Sequence, residues 1–191
     1  LELARPRRLV AIDRSHKKAA ATSSIEDFAT SRGLADALMI RGGVDQGDRT
    51  RLAEIAEEAF ADEPIDLVID DCSHRYDETR SSFNVLFPRL RPGGAYVIED
   101  WPWAHSPVGT EPLEGFYPDQ VPLSRLVFEL VLAVPGSPGL IDEITVDPGM
   151  VIVTRGKRQI DGAEFDVADC SNPRGRMLLA PLADAPSDSA G

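Results

Sequence analysis

Two short apolar runs in this sequence end in paired acids. Ile65-Asp66-Leu67-Val68-Ile69 leads into Asp70-Asp71-Cys72-Ser73-His74, and Ala95-Tyr96-Val97-Ile98 leads into Glu99-Asp100-Trp101. If the runs are neighbouring strands, they lie about 4.8 Å apart and their acids converge. Several carboxylates at one edge repel, and a cation relieves the repulsion. Oxygen-only donors suit Mg²⁺, Ca²⁺ or Mn²⁺ better than zinc. Against this stands the ordinary fact that strand ends face water, where acids cost little. His74 follows Asp71 by three residues. At the start of a helix both side chains point to one side, and an imidazole titrating near neutrality is a natural general base. Cys72 has acids and no cation as its sequence neighbours, which argues against a thiolate nucleophile. His16 and His105 lack such a setting and read as surface residues.

Other acids end or follow shorter runs. Arg8-Leu9-Val10-Ala11-Ile12 ends in Asp13, and Asp45-Gln46-Gly47-Asp48 follows Ala37-Leu38-Met39-Ile40. In open α/β sheets ligands bind outside the carboxyl ends of the strands, and an acid there accepts bonds from ribose hydroxyls. A polar turn explains residues 45–48 equally well. Trp101, Trp103 and Tyr117 sit where a substrate pocket needs walls, although loop aromatics also serve as anchors.

The elements that must position these residues follow from periodicity. Strands are expected at 8–13, 37–40, 65–70, 95–99, 141–146 and 150–154. Helices are expected from Ser24 to Gly33, from about Leu52 to Pro64, from about Tyr76 to Pro88, and from Leu123 to Val134. Arg91-Pro92-Gly93-Gly94 reads as a turn before the strand at 95, and Asp147-Pro148-Gly149 as a hairpin turn. The Pro-, Gly- and aromatic-rich stretch 101–122 is long for a simple connection and suits a functional loop or lid. Strands alternating with helices imply an α/β, Rossmann-like, mostly parallel sheet with helices on both faces, closed by a C-terminal antiparallel hairpin. Residues 1–156 make the expected domain. Residues 157–191 make an extension whose Ala-, Pro-, Asp- and Ser-rich last dozen is expected to be disordered.

The chain of 191 residues is long enough for one such domain. Its 32 acidic against 20 basic residues, formal charge -12, speak against nucleic acid as a partner. Its apolar runs are shorter than a membrane helix needs. Its 2 cysteines are too few for a disulfide framework and fit a reducing, cytoplasmic setting. The first residues, Leu1-Glu2-Leu3-Ala4, read as the last turn of a helix, with further sequence expected upstream.

With these residues placed, the chain resembles class I S-adenosylmethionine-dependent methyltransferases. More narrowly it is similar to the metal-dependent O-methyltransferases that act on sugars of macrolides and other glycosylated natural products, relatives of which are labelled cephalosporin hydroxylase. The likeness rests on Ile69 to His74, on Ser82-Phe83 with Leu86 to Gly94, and on Tyr96 to Trp101, and spans about residues 8–155. It implies S-adenosylmethionine and Mg²⁺ as cofactors. It implies Asp71, Glu99 and Asp100 as metal ligands, His74 as base, Asp13 at the ribose, Asp45 and Gln46 near adenine, and Asp70 at the methionine end. The implied partner is a small-molecule hydroxyl acceptor such as a sugar or polyketide glycoside. The oligomeric state, including a homo-oligomer, stays open. The family's first, central strand and its glycine-rich loop would precede Leu1 and are missing here, so the likeness implies either a piece of the enzyme or a domain that acts as a binding module. Mg²⁺-dependent phosphoryl transfer would want a Walker-type loop, which is not present, and a nicotinamide-dependent dehydrogenase stays open, because its glycine fingerprint would lie in the segment expected upstream.

Overall fold

The structure is a computed structural model, and it describes residues 6–15, 19–105, 121–162 and 164–171. Helices and strands alternate as β1 (Leu9–Asp13), α1 (Ala19–Ser31), β2 (Leu38–Gly42), α2 (Arg49–Phe60), β3 (Ile65–Asp70), α3 (Tyr76–Leu86) and β4 (Leu90–Glu99). Then come α4 (Ser124–Gly136), β5 (Ile141–Val146), β6 (Met150–Arg155) and the short α5 (Val167–Cys170). The class is the expected α/β fold, and the expected strand 65–70 is found with the same limits.

The sheet is divided in two. β1 and β2 pair in parallel, and a separate four-stranded sheet runs β3-β4-β6-β5. Within it β3 and β4 are parallel, while β4-β6 and β6-β5 are antiparallel.

The main core lies on one face of the larger sheet. Tyr96, Ile98, Val151 and Val153 meet Phe83 and Phe87 of the α3 end and Leu126 and Leu130 of α4, all fully buried. Phe83 stacks on Phe87 with ring centres 4.5 Å apart and tilts against Tyr96 at 4.9 Å, the offset and tilted geometries that aromatic quadrupoles favour. Leu67 and Ile69 of β3 are 52% and 59% exposed, so this apolar pair is uncovered. A small second cluster of Val44, Leu52 and Ile55, with Val10, Ile12 and Val85 against it, ties the β1-β2 pair through α2 to α3.

Three local expectations shift. Helix α1 begins at Ala19, ahead of Ser24, because the Ala-rich run 19–21 favours helix without a polar cap. Arg91 to Gly94 is not a turn before the strand. It is part of β4, four residues standing opposite Asp66 between the pairs Ile65-Leu90 and Leu67-Ala95. This bulge needs its glycines: Gly93 has φ +76°, and a Cβ on Gly94 would sit 3.0 Å from the carbonyls of Arg91 and Asp66. Third, the segment after residue 161 joins the core although it shows no period. Phe165 and Val167 are buried, and the Val167 N–H donates to Asn84 Oδ1 at 3.0 Å. The start 1–5, His16, Tyr117 and the last dozen residues lie outside the described residues.

Asp166 fastens this segment. Its carboxylate accepts from Arg80 Nε at 3.1 Å and Nη2 at 2.5 Å, and it caps α5 through the Ala168 N–H. Burial opposes its charge, but the Arg80 hydrogen bond and the Ala168 N–H hold its carboxyl below the ordinary Asp value. A depressed folded pKa gives stability that is present above the unfolded pKa, about 3.9, and is lost as pH falls through the folded value. Asp166→Asn is therefore expected to cost about 1–3 kcal/mol near pH 7. In urea unfolding the gap to the parent should stay level above the ordinary Asp range and narrow as pH falls below it.

Candidate active site at the strand ends

β1 to β4 deliver Asp13, the 43–48 loop, Asp70 to His74, and Glu99 to Asp100 to one edge. The surroundings of Cys72 show how close they come. Burial pushes its thiol up, and the charges of Asp70, Asp13, Asp71 and Asp45 push it further the same way. Four acids from three segments thus face one sulfur, and the expectation that Cys72 is no thiolate nucleophile fits its raised pKa.

Beneath the edge lies a buried polar cage. Asp70 is 7% exposed. Gln46 Nε2 bonds both its oxygens at 2.7 and 2.8 Å, and Ser82 Oγ and Tyr96 Oη donate to Oδ2 at 2.8 and 2.7 Å. Burial raises the Asp70 carboxyl, while the donors from Tyr96, Ser82 and Gln46 pull it back. Tyr96, fully buried beside that charge, is raised well above an ordinary tyrosine. Gln46 also accepts from the Ser73 N–H at 3.1 Å, so it fixes the loop between Asp71 and His74. The side chains of Gln46 and Asp70, expected at the cofactor, are thus engaged with each other and set the loop geometry.

Above the cage, Asp71, His74 and Asp100 each offer a ligand atom within 4.8 Å of the other two. The structure brings these three expected residues together. Glu99, expected as a third metal acid, ends β4 one residue earlier and is not in that group. His74 Nε2 stands 3.9 Å from Asp71 Oδ1, longer than a hydrogen bond, and its ring stacks parallel to Trp103 with centres 5.8 Å apart. His74 and Asp100 have φ of +54° and +53°, two of the three positive-φ non-glycine residues among those described. Such backbone costs about 1–3 kcal/mol per residue and persists only where the surroundings enforce it. The fit to a hard divalent cation rests on two exposed carboxylates held close, whose mutual repulsion a cation removes.

The remaining expected positions lie on the same edge. Asp13 is half-buried, and its Oδ1 accepts from the Ser15 N–H at 2.6 Å. Asp45 is exposed, shapes its own loop through the Gly47 N–H at 2.8 Å, and faces Arg14 at 3.9 Å. His105 is exposed, as expected, and bonds Ser124 Oγ at 2.7 Å.

A protein-family model described as "Methyltransferase domain" matches residues 1–101. The chain belongs to this methyltransferase-domain family. The domain is also similar to curated enzymes. It is 49% identical over 63 residues to demethylmacrocin O-methyltransferase of Streptomyces fradiae, covering 30% of this chain and 15% of that protein. It is 39% identical over 99 residues to L-olivosyl-oleandolide 3-O-methyltransferase of Streptomyces antibioticus, covering 46% of this chain and 25% of that one. Among solved structures it resembles the MycE methyltransferase of the mycinamycin biosynthetic pathway in complex with Mg, SAH and mycinamycin VI. The TM-score is 0.54 at 26% identity, over 80% of this chain and 45% of that chain. The match thus spans less than half of the MycE chain and a quarter or less of those two enzymes.

Two parts of the methyltransferase domain's site escape sequence reading. Tyr96 reads as one more apolar strand residue, yet its hydroxyl completes the Asp70 cage. Glu129 sits inside an apolar helical run, yet it is 3% exposed and takes Tyr76 Oη at 2.9 Å and Arg125 Nε at 2.9 Å. Burial, then the Glu129 charge, pushes Tyr76 up to about 12, so the phenol stays a donor and anchors α3 two residues after His74. Tyr96→Phe is expected to lose about 1–3 kcal/mol in urea unfolding near pH 7. Because the lost donor served the ionised carboxylate, the loss should shrink as pH falls and Asp70 takes up its proton.

Proposed function

We propose that this domain carries the metal-and-base half of an S-adenosylmethionine-dependent O-methyltransferase site, acting on a hydroxyl of a small molecule such as a sugar of a glycosylated natural product. The observation that carries the reading is the gathering of Asp71, His74 and Asp100 from two separate strand ends. The curated relatives and the MycE complex, with its Mg and SAH, support it. When bound, S-adenosylmethionine supplies an electrophilic methyl group and Mg²⁺ supplies the charge that acidifies a hydroxyl.

The chain's own residues do the rest. Asp71 and Asp100 would hold the cation, with Glu99, next to Asp100 in sequence, as the further proposed acid. His74 Nε2 would take the proton of the acceptor hydroxyl, and the stacked Trp103 keeps the imidazole in place. With the cofactor bound, Asp13 would accept from the ribose hydroxyls and Asp45 would serve the adenine side. Asp70 and Gln46 act by holding the 71–74 loop at the methionine end. Much of the rate comes from fixing two reactants in line.

A second reading, a non-catalytic binding module, is favoured by one observation: the described strands form two separate sheets, and Leu67 and Ile69 of β3 are left exposed. Methyl transfer from labelled S-adenosylmethionine to a glycosylated acceptor in Mg²⁺ separates the two. His74→Ala is expected to lower the rate about 10²–10⁴-fold with divalent-ion binding retained, and Asp71→Asn to lose both. Full methyl transfer by Asp71→Asn would sink the enzymatic reading, and no transfer by a folded parent chain that binds the cofactor would favour the module.

A further inference from the structure

The Asp147-Pro148-Gly149 turn between β5 and β6 is not among the residues assigned to the site, yet it holds the chain at Asp100. β4 leaves its antiparallel pairing with β6 at the pair Glu99-Met150. The next residue, Asp100, takes the left-handed conformation, φ +53°, and its N–H donates to Gly149 O at 2.8 Å. Trp101 Nε1 donates to Asp147 O at 2.9 Å. Both carbonyls belong to the turn. The turn itself is built on the Asp147 carboxylate, whose Oδ1 accepts from the N–H groups of Gly149 and Met150 at 2.7 and 2.8 Å. The Asp147 N–H closes the hairpin on Met150 O at 3.0 Å.

A non-glycine residue stays left-handed only where its surroundings over-determine it. At Asp100 the Gly149 carbonyl takes the N–H and the Trp103 N–H, at 3.3 Å, meets the carbonyl, while the Asp147 carbonyl ties the next residue, Trp101, and the Asp147 side chain shapes the turn that presents both turn carbonyls. We infer that Asp147 is a positioning residue for the metal acid Asp100, acting through the backbone of its own turn and touching neither cation nor substrate. The inference rests on the proposed metal role of Asp71 and Asp100. It gives the β5-β6 hairpin a task beyond closing the sheet: its exposed tip decides where one carboxylate of the site stands. Changes to outer supports of this kind typically weaken metal binding about 10–100-fold.

The test is calorimetric titration of Mn²⁺ into the parent chain, Asp147→Ala, Asp147→Asn, Asp100→Asn and the Asp147→Ala/Asp100→Asn pair, with unfolding curves for each. The turn is exposed, so the variants should keep the fold. Asp147→Ala is expected to weaken Mn²⁺ binding about tenfold or more. Asp147→Asn should restore most of it, because the amide oxygen accepts the same two N–H groups. In the Asp100→Asn background, Asp147→Ala should add little further loss, a coupling that general loss of stability would not produce. Equal Mn²⁺ affinity in Asp147→Ala and a Mn²⁺-binding parent overturns the inference alone, as does an additive double variant. A folded parent that binds no Mn²⁺ overturns the inference together with the metal reading beneath it.

Discussion

A carboxylate taken out of water must find donors or give up its charge. Asp70 finds them in three segments: Gln46 from the loop after β2, Ser82 from α3 and Tyr96 from β4. Each reaches the end of β3, so one buried charge fixes the mutual position of four elements. The cost of leaving any donor unmade is what makes the arrangement specific. Through Gln46 the same network reaches the Ser73 N–H and settles the loop that carries Asp71 and His74. The loop of Asp71 and His74 is thereby tied to a buried carboxylate.

Built on that base, the edge concentrates strain and like charge. His74 and Asp100 hold left-handed backbone, and Asp13, Asp45, Asp70 and Asp71 crowd one thiol. Neither feature helps folding. Both fit the proposed cation and proton acceptor, since a bound cation relieves the repulsion of like charges kept close. The supports come from outside the catalytic residues themselves. Tyr76 with Glu129 braces the start of α3, Trp103 stacks on His74, and the β5-β6 turn clamps Asp100.

Much of this is legible in the sequence because strands end where apolar runs end. The strand at 65–70, the acid pairs Asp70-Asp71 and Glu99-Asp100, and the hairpin at 147–149 all follow from period and turn chemistry. What is hidden depends on partners distant in sequence. Tyr96 alternates like any core residue, and only the fold reveals its hydroxyl against Asp70. Gln46 and Asp70 each suit a cofactor loop on paper, whereas in space they meet each other. The Arg91-Gly94 stretch has every mark of a turn, and only the facing Asp66 shows that it is a bulge inside β4. Phe165 and Val167 lack a period because their segment is too short to show one, yet they reach the core.

The account turns on one cation at one place. Crystals of the chain grown with Mn²⁺ and recorded at the manganese absorption edge locate it directly by anomalous scattering. The account predicts a peak within about 2.0–2.6 Å of carboxylate oxygens of both Asp71 and Asp100. A peak held by other residues, or a bare strand edge at saturating Mn²⁺, would contradict it.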